Sequence, residues 1–153
     1  MAINKTAVIG FPVDHSLSPA IHNYWIKKLG LNIKPYEKIN MSPNIFEEQI
    51  SSLKTEGFGG LNVTVPLKEL AFNISDETSS VSKKLRSANT LTLGSDKING
   101  DNTDAAGFIN SLDKKTIEEN IANKKTLVLG AGGSARSVVY ALNQLGGHVR
   151  LFN

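Results

Sequence analysis

The segment Thr126 to Ala135, TLVLGAGGSA, constrains the fold more than any other, because an apolar strand runs without a break into Gly130-Ala131-Gly132-Gly133-Ser134-Ala135. Beyond it, Val138, Val139, Ala141, Leu142 and Leu145 recur at helical spacing, and after Gly146-Gly147 a second apolar strand reads Val149 to Phe152. Strand, glycine-rich turn of the pattern G-x-G-x-x-G/A, helix and strand together predict a βαβ unit that opens a Rossmann-type nucleotide-binding domain. Gly130 permits the tight turn, Gly132 lets the backbone approach a pyrophosphate, and the small Ala135 lets the helix close on the strand. Phosphates would sit at the helix N-terminus, where unpaired N–H groups and the helix dipole favour negative charge. The plainer reading is a glycine turn that serves strand-to-helix packing alone. An NAD-preferring unit carries Asp or Glu about 20 residues on. Here the chain has Arg150-Leu151-Phe152-Asn153, which leans towards NADP.

Ahead of this unit, apolar segments alternate with amphipathic ones, the sign of an α/β arrangement with a mainly parallel sheet. Thr6 to Gly10 reads as a buried strand and Ile33 to Ile39 as an edge-like one. Between them a helix is expected, with Ser18 as N-cap, Pro19 at its first position, an apolar face of Ile21, Tyr24, Trp25, Ile26 and Leu29, and Gly30 at its end. Ser42-Pro43 opens a second helix with Ile45, Phe46, Ile50 and Leu53 on one face, closed by Gly57. A strand at Gly60 to Val65 follows, then a helix capped at Ser75-Asp76 and running through Leu85. Thr90 to Leu93 and Lys97 to Asn99 form a hairpin around Gly94-Ser95-Asp96. The pattern turns helical at Thr103, and Asp113 to Lys125 reads as a surface connection. The expected domains are therefore 1–102 and 103–153, the second only the first βαβ unit of its kind.

Three polar segments carry chemistry. Gly10 to Pro19, GFPVDHSLSP, joins the first strand to the first helix at the carboxyl end of a parallel strand, where ligands of open α/β sheets bind. Ser16 and Ser18 beside a helix N-terminus can hold a carboxylate with neutral donors, or Ser18 is a cap and Ser16 an ordinary turn residue. His15 in the same turn is a generic acid/base candidate or a structural hydrogen-bonding residue. His22 and His148 carry less signal. Asn62 and Thr64 share one face of the third strand, with Lys68 just past a proline break. A hydroxylated ligand would satisfy that polar face, and Lys68 could move a proton or hold an alcohol oxygen; the bland alternative is an exposed lysine after a turn. Gly100-Asp101-Asn102-Thr103-Asp104 places carboxylates and amides at the inferred domain junction, as ligand groups or as helix caps.

Composition narrows the class. With no cysteine among 153 residues, disulfides, thiolate metal centres and thiol nucleophiles are excluded. No metal site is expected. The net charge of +3 comes from scattered lysines, without a basic arm or interleaved aromatics, so a small anion fits better than a nucleic acid. Short apolar runs predict neither a signal peptide nor a transmembrane helix, and the cytoplasm is the default compartment.

Taken together, G-x-P-x-x-H-S-x-S-P-x-x-H-N (Gly10 to Asn23), N-V-T-x-P-x-K (Asn62 to Lys68), A-N-T (Ala88 to Thr90), G-D-N-T-D (Gly100 to Asp104) and the G-A-G-G turn closely resemble the N-terminal part of the shikimate dehydrogenase family. The resemblance implies reversible interconversion of 3-dehydroshikimate and shikimate with NADPH, in aromatic amino-acid and chorismate biosynthesis, by a monomer or homodimer. It implies that Ser16 and Ser18 hold the substrate carboxylate, that Asn62, Thr64, Asn89 and Asp104 bind ring hydroxyls, and that Lys68 with Asp104 serves the reacting alcohol. The NADP contacts it implies are Gly130, Ala131, Gly132, Gly133, Ser134, Ala135 and Asn153. Ala88 stands where the family usually has Val, and Ala105 where it has Gly. In the family the second nucleotide-domain strand leads into Asn-Arg-Ser/Thr, and Asn153 corresponds to the first residue of that run. A C-terminally truncated form is implied, without the remaining nucleotide domain or the later helices that supply a glutamine ligand. The alternatives are an NAD-using quinate/shikimate dehydrogenase and a catalytically silent shikimate-binding or regulatory module.

Overall fold

A computed structural model describes residues 5–153, which fall into two compact units, one ending at Asp101 and the other spanning Asn102–Asn153. In the first, β1 (Lys5–Gly10) is followed by α1 (Ser18–Lys28), β2 (Glu37–Asn40), a 3-10 turn at Pro43–Ile45 and α2 (Phe46–Thr55). Next come β3 (Phe58–Val63), α3 (Lys68–Asn73), β4 (Glu77–Thr78), α4 (Ser80–Leu85), β5 (Thr90–Leu93) and β6 (Ile98–Asp101). The strands lie in the order β2-β1-β3-β5-β6-β4. β1 is parallel to both β2 and β3, and β4 to β6, whereas β5 runs antiparallel to β3 and β6. The sheet is mixed but mostly parallel, with a hairpin inserted.

Ala7, Val8 and Ile9 of β1 are all buried, as a central strand covered on both faces requires. On one face the core closes through α2, which turns Phe46, Ile50 and Leu53 inward at helical spacing onto Leu61, Val63, Leu67 and Leu91. Glu47 and Glu48 in its first turn and Lys54 in its last suit the helix dipole. On the other face, α1 buries none of its residues: Ile21, Tyr24 and Trp25 stay exposed, and Trp25 with Leu29, just past the helix end, lines a groove of about 410 Å³. Of the apolar face expected for this helix, Ile26 packs partly buried against Val8, Val13 and Tyr36, and the rest is not packed away within the described residues.

The second unit contains α5 (Asp104–Asn110), the short α6 (Lys114–Thr116) running into a π-helical turn at Ile117–Ile121, β7 (Lys125–Leu129), α7 (Gly133–Gln144) and β8 (His148–Phe152). β7 and β8 pair in parallel, and α7 buries Ser137, Ala141 and Leu142.

Several expected boundaries move, each for a physical reason. The strand expected from Ile33 begins only at Glu37, because Pro35 has no N–H to donate and the Tyr36 backbone is bonded at both ends by the Asn23 side chain. The third strand spans Phe58–Val63 rather than Gly60 to Val65, since beyond Val63 the chain turns, with the Leu67 N–H donating to the Thr64 carbonyl. No helix starts at Ser75-Asp76. Ser75 Oγ donates back to the Ala71 carbonyl and Asp76 Oδ2 accepts the Ile98 N–H, so both residues shape a turn. Ser79 caps α4 by accepting the Ser82 N–H. Between Leu67 and Ile74 lies α3, a helix the pattern did not announce. The polar stretch from Asp113 is partly helical: Asp113 caps α6, and Ile121 is buried against Gly147.

Candidate functional site

Ser16, Ser18, Asn62, Thr64, Lys68 and Asn89 lie at one edge of the first sheet, and backbone bonds hold that edge together. The Thr64 N–H donates to the Ile9 carbonyl (2.9 Å), the Phe11 N–H to the Val65 carbonyl (3.0 Å) and the Met41 N–H to the Gly10 carbonyl (2.9 Å). The loop after β1 is thereby tied to the ends of both β2 and β3. Gly10 is required at this junction: a Cβ there would lie 2.4 Å from Thr64 Cγ2 and 3.1 Å from the Val65 carbonyl oxygen. Because β5 is antiparallel to β3, Thr90 stands opposite Asn62 and Asn89 falls just beyond it, at the same edge. The Val63 N–H donates to the Asn89 carbonyl (2.7 Å), and the Ala88 N–H to the Lys68 carbonyl (2.9 Å).

Within the serine turn, Leu17 rather than Ser18 occupies the N-cap position and makes no side-chain cap bond; Ser18 is the first residue of α1. The Ser16 hydroxyl oxygen accepts the Ser18 N–H at 3.3 Å. The turn is pinned from below, as the Val13 N–H donates to Asn40 Oδ1 (2.9 Å) and the Asn40 amide donates to Asp14 Oδ1 (2.8 Å). Asn40 is a supporting residue that carried no motif signal. Lys68, only 9% exposed, opens α3 and is not the solvated lysine of the bland reading. Asn89 is equally buried, and its Oδ1 accepts the Thr90 hydroxyl (3.0 Å). His15 and His148 are exposed.

Asn62 Oδ1 accepts the Tyr36 hydroxyl at 2.7 Å. Tyr36 in turn stacks on His22, with ring centroids 4.2 Å apart and planes within 7°. Burial raises the Tyr36 phenol well above its ordinary range and lowers the His22 imidazole below its own. A lowered histidine pKa means that the unfolded chain binds the proton more readily. The His22 contribution is therefore complete above an ordinary pKa of about 6.5 and is lost as pH falls through the lower folded value. The thermal midpoint is expected to drop between about pH 7.5 and pH 5, and His22→Gln to flatten that slope. Thermal unfolding of both forms across this range checks it; parallel slopes would contradict it.

The second unit holds the remaining candidates. Asp104 is the first residue of α5, and Asn102 Oδ1 accepts its N–H at 3.1 Å. In the glycine turn, Gly130 takes φ +92°, a conformation that favours glycine. Gly132 is the N-cap residue of α7, and Gly133, Ser134 and Ala135 form its first turn. A Cβ added at Gly132 or Gly133 would meet no atom within 4 Å, so packing does not account for these two glycines. Asn153 closes the turn from the far strand by accepting the Ala131 N–H at 3.2 Å. Among the described residues no cluster of His, Cys, Asp or Glu could hold a metal ion, and no helix is long and apolar enough to cross a membrane.

Residues 8–91 match the family model described as the shikimate dehydrogenase substrate binding domain. The shikimate dehydrogenase (NADP(+)) of Pelagibacter ubique is 45% identical over 138 residues, covering 90% of this chain and 51% of that protein. The crystal structure of shikimate dehydrogenase from Aquifex aeolicus superposes with a TM-score of 0.86 at 38% identity, over 97% of this chain and 54% of that one. The shikimate 5-dehydrogenase of Thermus thermophilus, solved with NADP(H) and shikimate, gives a TM-score of 0.81 at 34% identity, over 97% and 55% of the two chains. The chain spans about half the length of the relatives it matches. With the serine turn, the Asn62–Lys68 segment and Asn89 at one end of the first sheet, and the matched model taking in more than half of its residues, the chain belongs to the shikimate dehydrogenase family through its substrate-binding domain.

Proposed function

We propose that this chain forms the substrate-binding half, and the opening of the cofactor unit, of an NADP-dependent shikimate dehydrogenase. The observation that carries this reading is the gathering of Ser16, Ser18, Asn62, Thr64, Lys68 and Asn89 at the edge where β1, β2 and β3 end. Ser16 and Ser18, at the start of α1, offer hydroxyl donors to a carboxylate. Asn62, Thr64 and Asn89 hold ring hydroxyls. Lys68 donates to the reacting alcohol oxygen and stabilises the charge that develops on it, and Asp104 is the carboxylate that accepts from that alcohol.

The turn from Gly130 to Ala135 suits a nucleotide diphosphate. Gly132 and Gly133 leave open space where a Cβ would stand, at the N-terminus of a twelve-residue helix with no acidic residue in its first turn. NADP held by these residues would supply the hydride acceptor for the alcohol's oxidation, and NADPH the hydride donor for the reverse reaction. Two relatives named for NADP(+), and the Thermus thermophilus structure holding it, support this choice.

The chain by itself is expected to show no measurable shikimate-dependent NADP reduction. Leu127, Leu129, Leu151 and Phe152 lie exposed on a sheet of two strands, which is marginal support for a cofactor. Joined after Asn153 to the remaining half of the Pelagibacter ubique relative, the extended form should turn over. Equal activity in the two forms would refute the division of labour proposed here. An inactive extended form that still binds shikimate would favour a silent binding module.

A further inference from the structure

We propose that Tyr36 is a positioning residue of the substrate site: its phenol fixes the Asn62 side-chain amide so that the amide presents hydrogen-bond donors, and this point of the site selects an acceptor oxygen on a polyhydroxylated acid. The inference rests on the reading above, in which Asn62 binds a ring hydroxyl.

Tyr36 itself has little freedom. Its N–H donates to Asn23 Oδ1 (2.7 Å), its carbonyl accepts from Asn23 Nδ2 (3.1 Å), its ring stacks on His22, and only 5% of the residue is exposed. Val8 and Val13 complete the cluster around it. The phenol oxygen is thereby held 2.7 Å from Asn62 Oδ1. Burial keeps the phenol protonated at every working pH, so it remains a donor. That proton needs an acceptor, and among the described residues Asn62 Oδ1 is the acceptor recorded for it. The reversed amide would face the phenol with Nδ2 and strand the proton in a buried place. With Oδ1 committed to Tyr36, Asn62 turns its NH2 group away from the phenol, and a ligand oxygen meets a donor rather than an acceptor. A polar residue on a strand would otherwise rotate between two nearly equivalent amide orientations, only one of which donates.

The test uses four forms of the 153-residue chain, with shikimate titrated in and followed by two-dimensional nitrogen–proton spectra: unsubstituted, Tyr36→Phe, Asn62→Ala and the double variant. Phenylalanine keeps the ring, the stack and the burial, and removes only the hydroxyl. Tyr36→Phe is expected to weaken shikimate binding roughly 3–10-fold, the effect of one neutral hydrogen bond. In the Asn62→Ala background it should add nothing, because the effect runs through Asn62. The Asn62 side-chain amide signals should also shift in the ligand-free Tyr36→Phe form. Equal binding by the unsubstituted and Tyr36→Phe forms overturns the role of Tyr36 and leaves the site reading standing. A loss just as large in the Asn62→Ala background also overturns it, as that marks a merely structural effect. Failure of the unsubstituted chain to bind shikimate overturns the site reading, and this proposal with it.

Discussion

Lys68→Met in the extended form is expected to lower kcat for shikimate oxidation by roughly 10²–10⁴-fold, the contribution of one positioned proton-transfer group. Methionine keeps the length and apolar stem of the side chain and removes only the ammonium group, so the buried start of α3 should keep its packing. The thermal midpoint should stay within a few degrees of the parent, and KM should change less than kcat. Lys68→Arg divides the two parts Lys68 can play. Arginine stays charged at every working pH, so it can stabilise a developing alkoxide but cannot hand over its proton. If Lys68 acts mainly by its charge, arginine should recover part of the rate; if it carries the proton, both variants should be comparably slow. A kcat for Lys68→Met within about threefold of the parent would remove Lys68 from the chemistry altogether.

The parts of this molecule legible in its sequence are those where one physical signal is strong and local. The glycine turn, with apolar strands on both sides, had one reasonable fold, and β7, α7 and β8 follow it. α2 was readable because Phe46, Ile50 and Leu53 share one face between Pro43 and Gly57. Polar residues were harder, since the same type can cap, turn or bind. Ser75 and Asp76 looked like a cap and make a turn, while Ser79, three residues on, is the cap. α3 has only six residues, too few to display a period. In the candidate site, the motif segments gave the polar side chains that the first sheet brings to one end of its strands. What holds them was not legible: Asn40 under the serine turn and Tyr36 behind Asn62 stand outside the motifs, and Asn23, though inside the first motif, gave no sign of its bond to Tyr36; these bonds span between 13 and 27 residues of sequence. Pairings that distant depend on the closed sheet and leave no local pattern.

The two long helices of the first unit look alike in sequence, each with an apolar face, yet they should respond very differently to truncation. Phe46 of α2 is 1% exposed and packs in the cluster that includes Met41, Ile50, Leu61 and Leu67. Phe46→Ala removes a ring from a closed core and leaves a cavity, a loss of ~3–5 kcal/mol, against ~5–15 kcal/mol for a whole domain of ordinary stability. Ile21 of α1 is 46% exposed, and Ile21→Ala should stay within ~0.5 kcal/mol. Urea unfolding followed by circular dichroism separates the two, with the midpoint falling sharply for Phe46→Ala and hardly at all for Ile21→Ala. The first loss should also reach the substrate edge. Met41 donates its N–H to the Gly10 carbonyl beneath the serine turn, and Leu67 precedes Lys68, so a cavity beside them loosens both ends of the site. Shikimate binding by Phe46→Ala should therefore weaken even below the urea concentrations at which it unfolds. A loss under about 1 kcal/mol for Phe46→Ala would mean that the α2 face is not the core that holds the site in place.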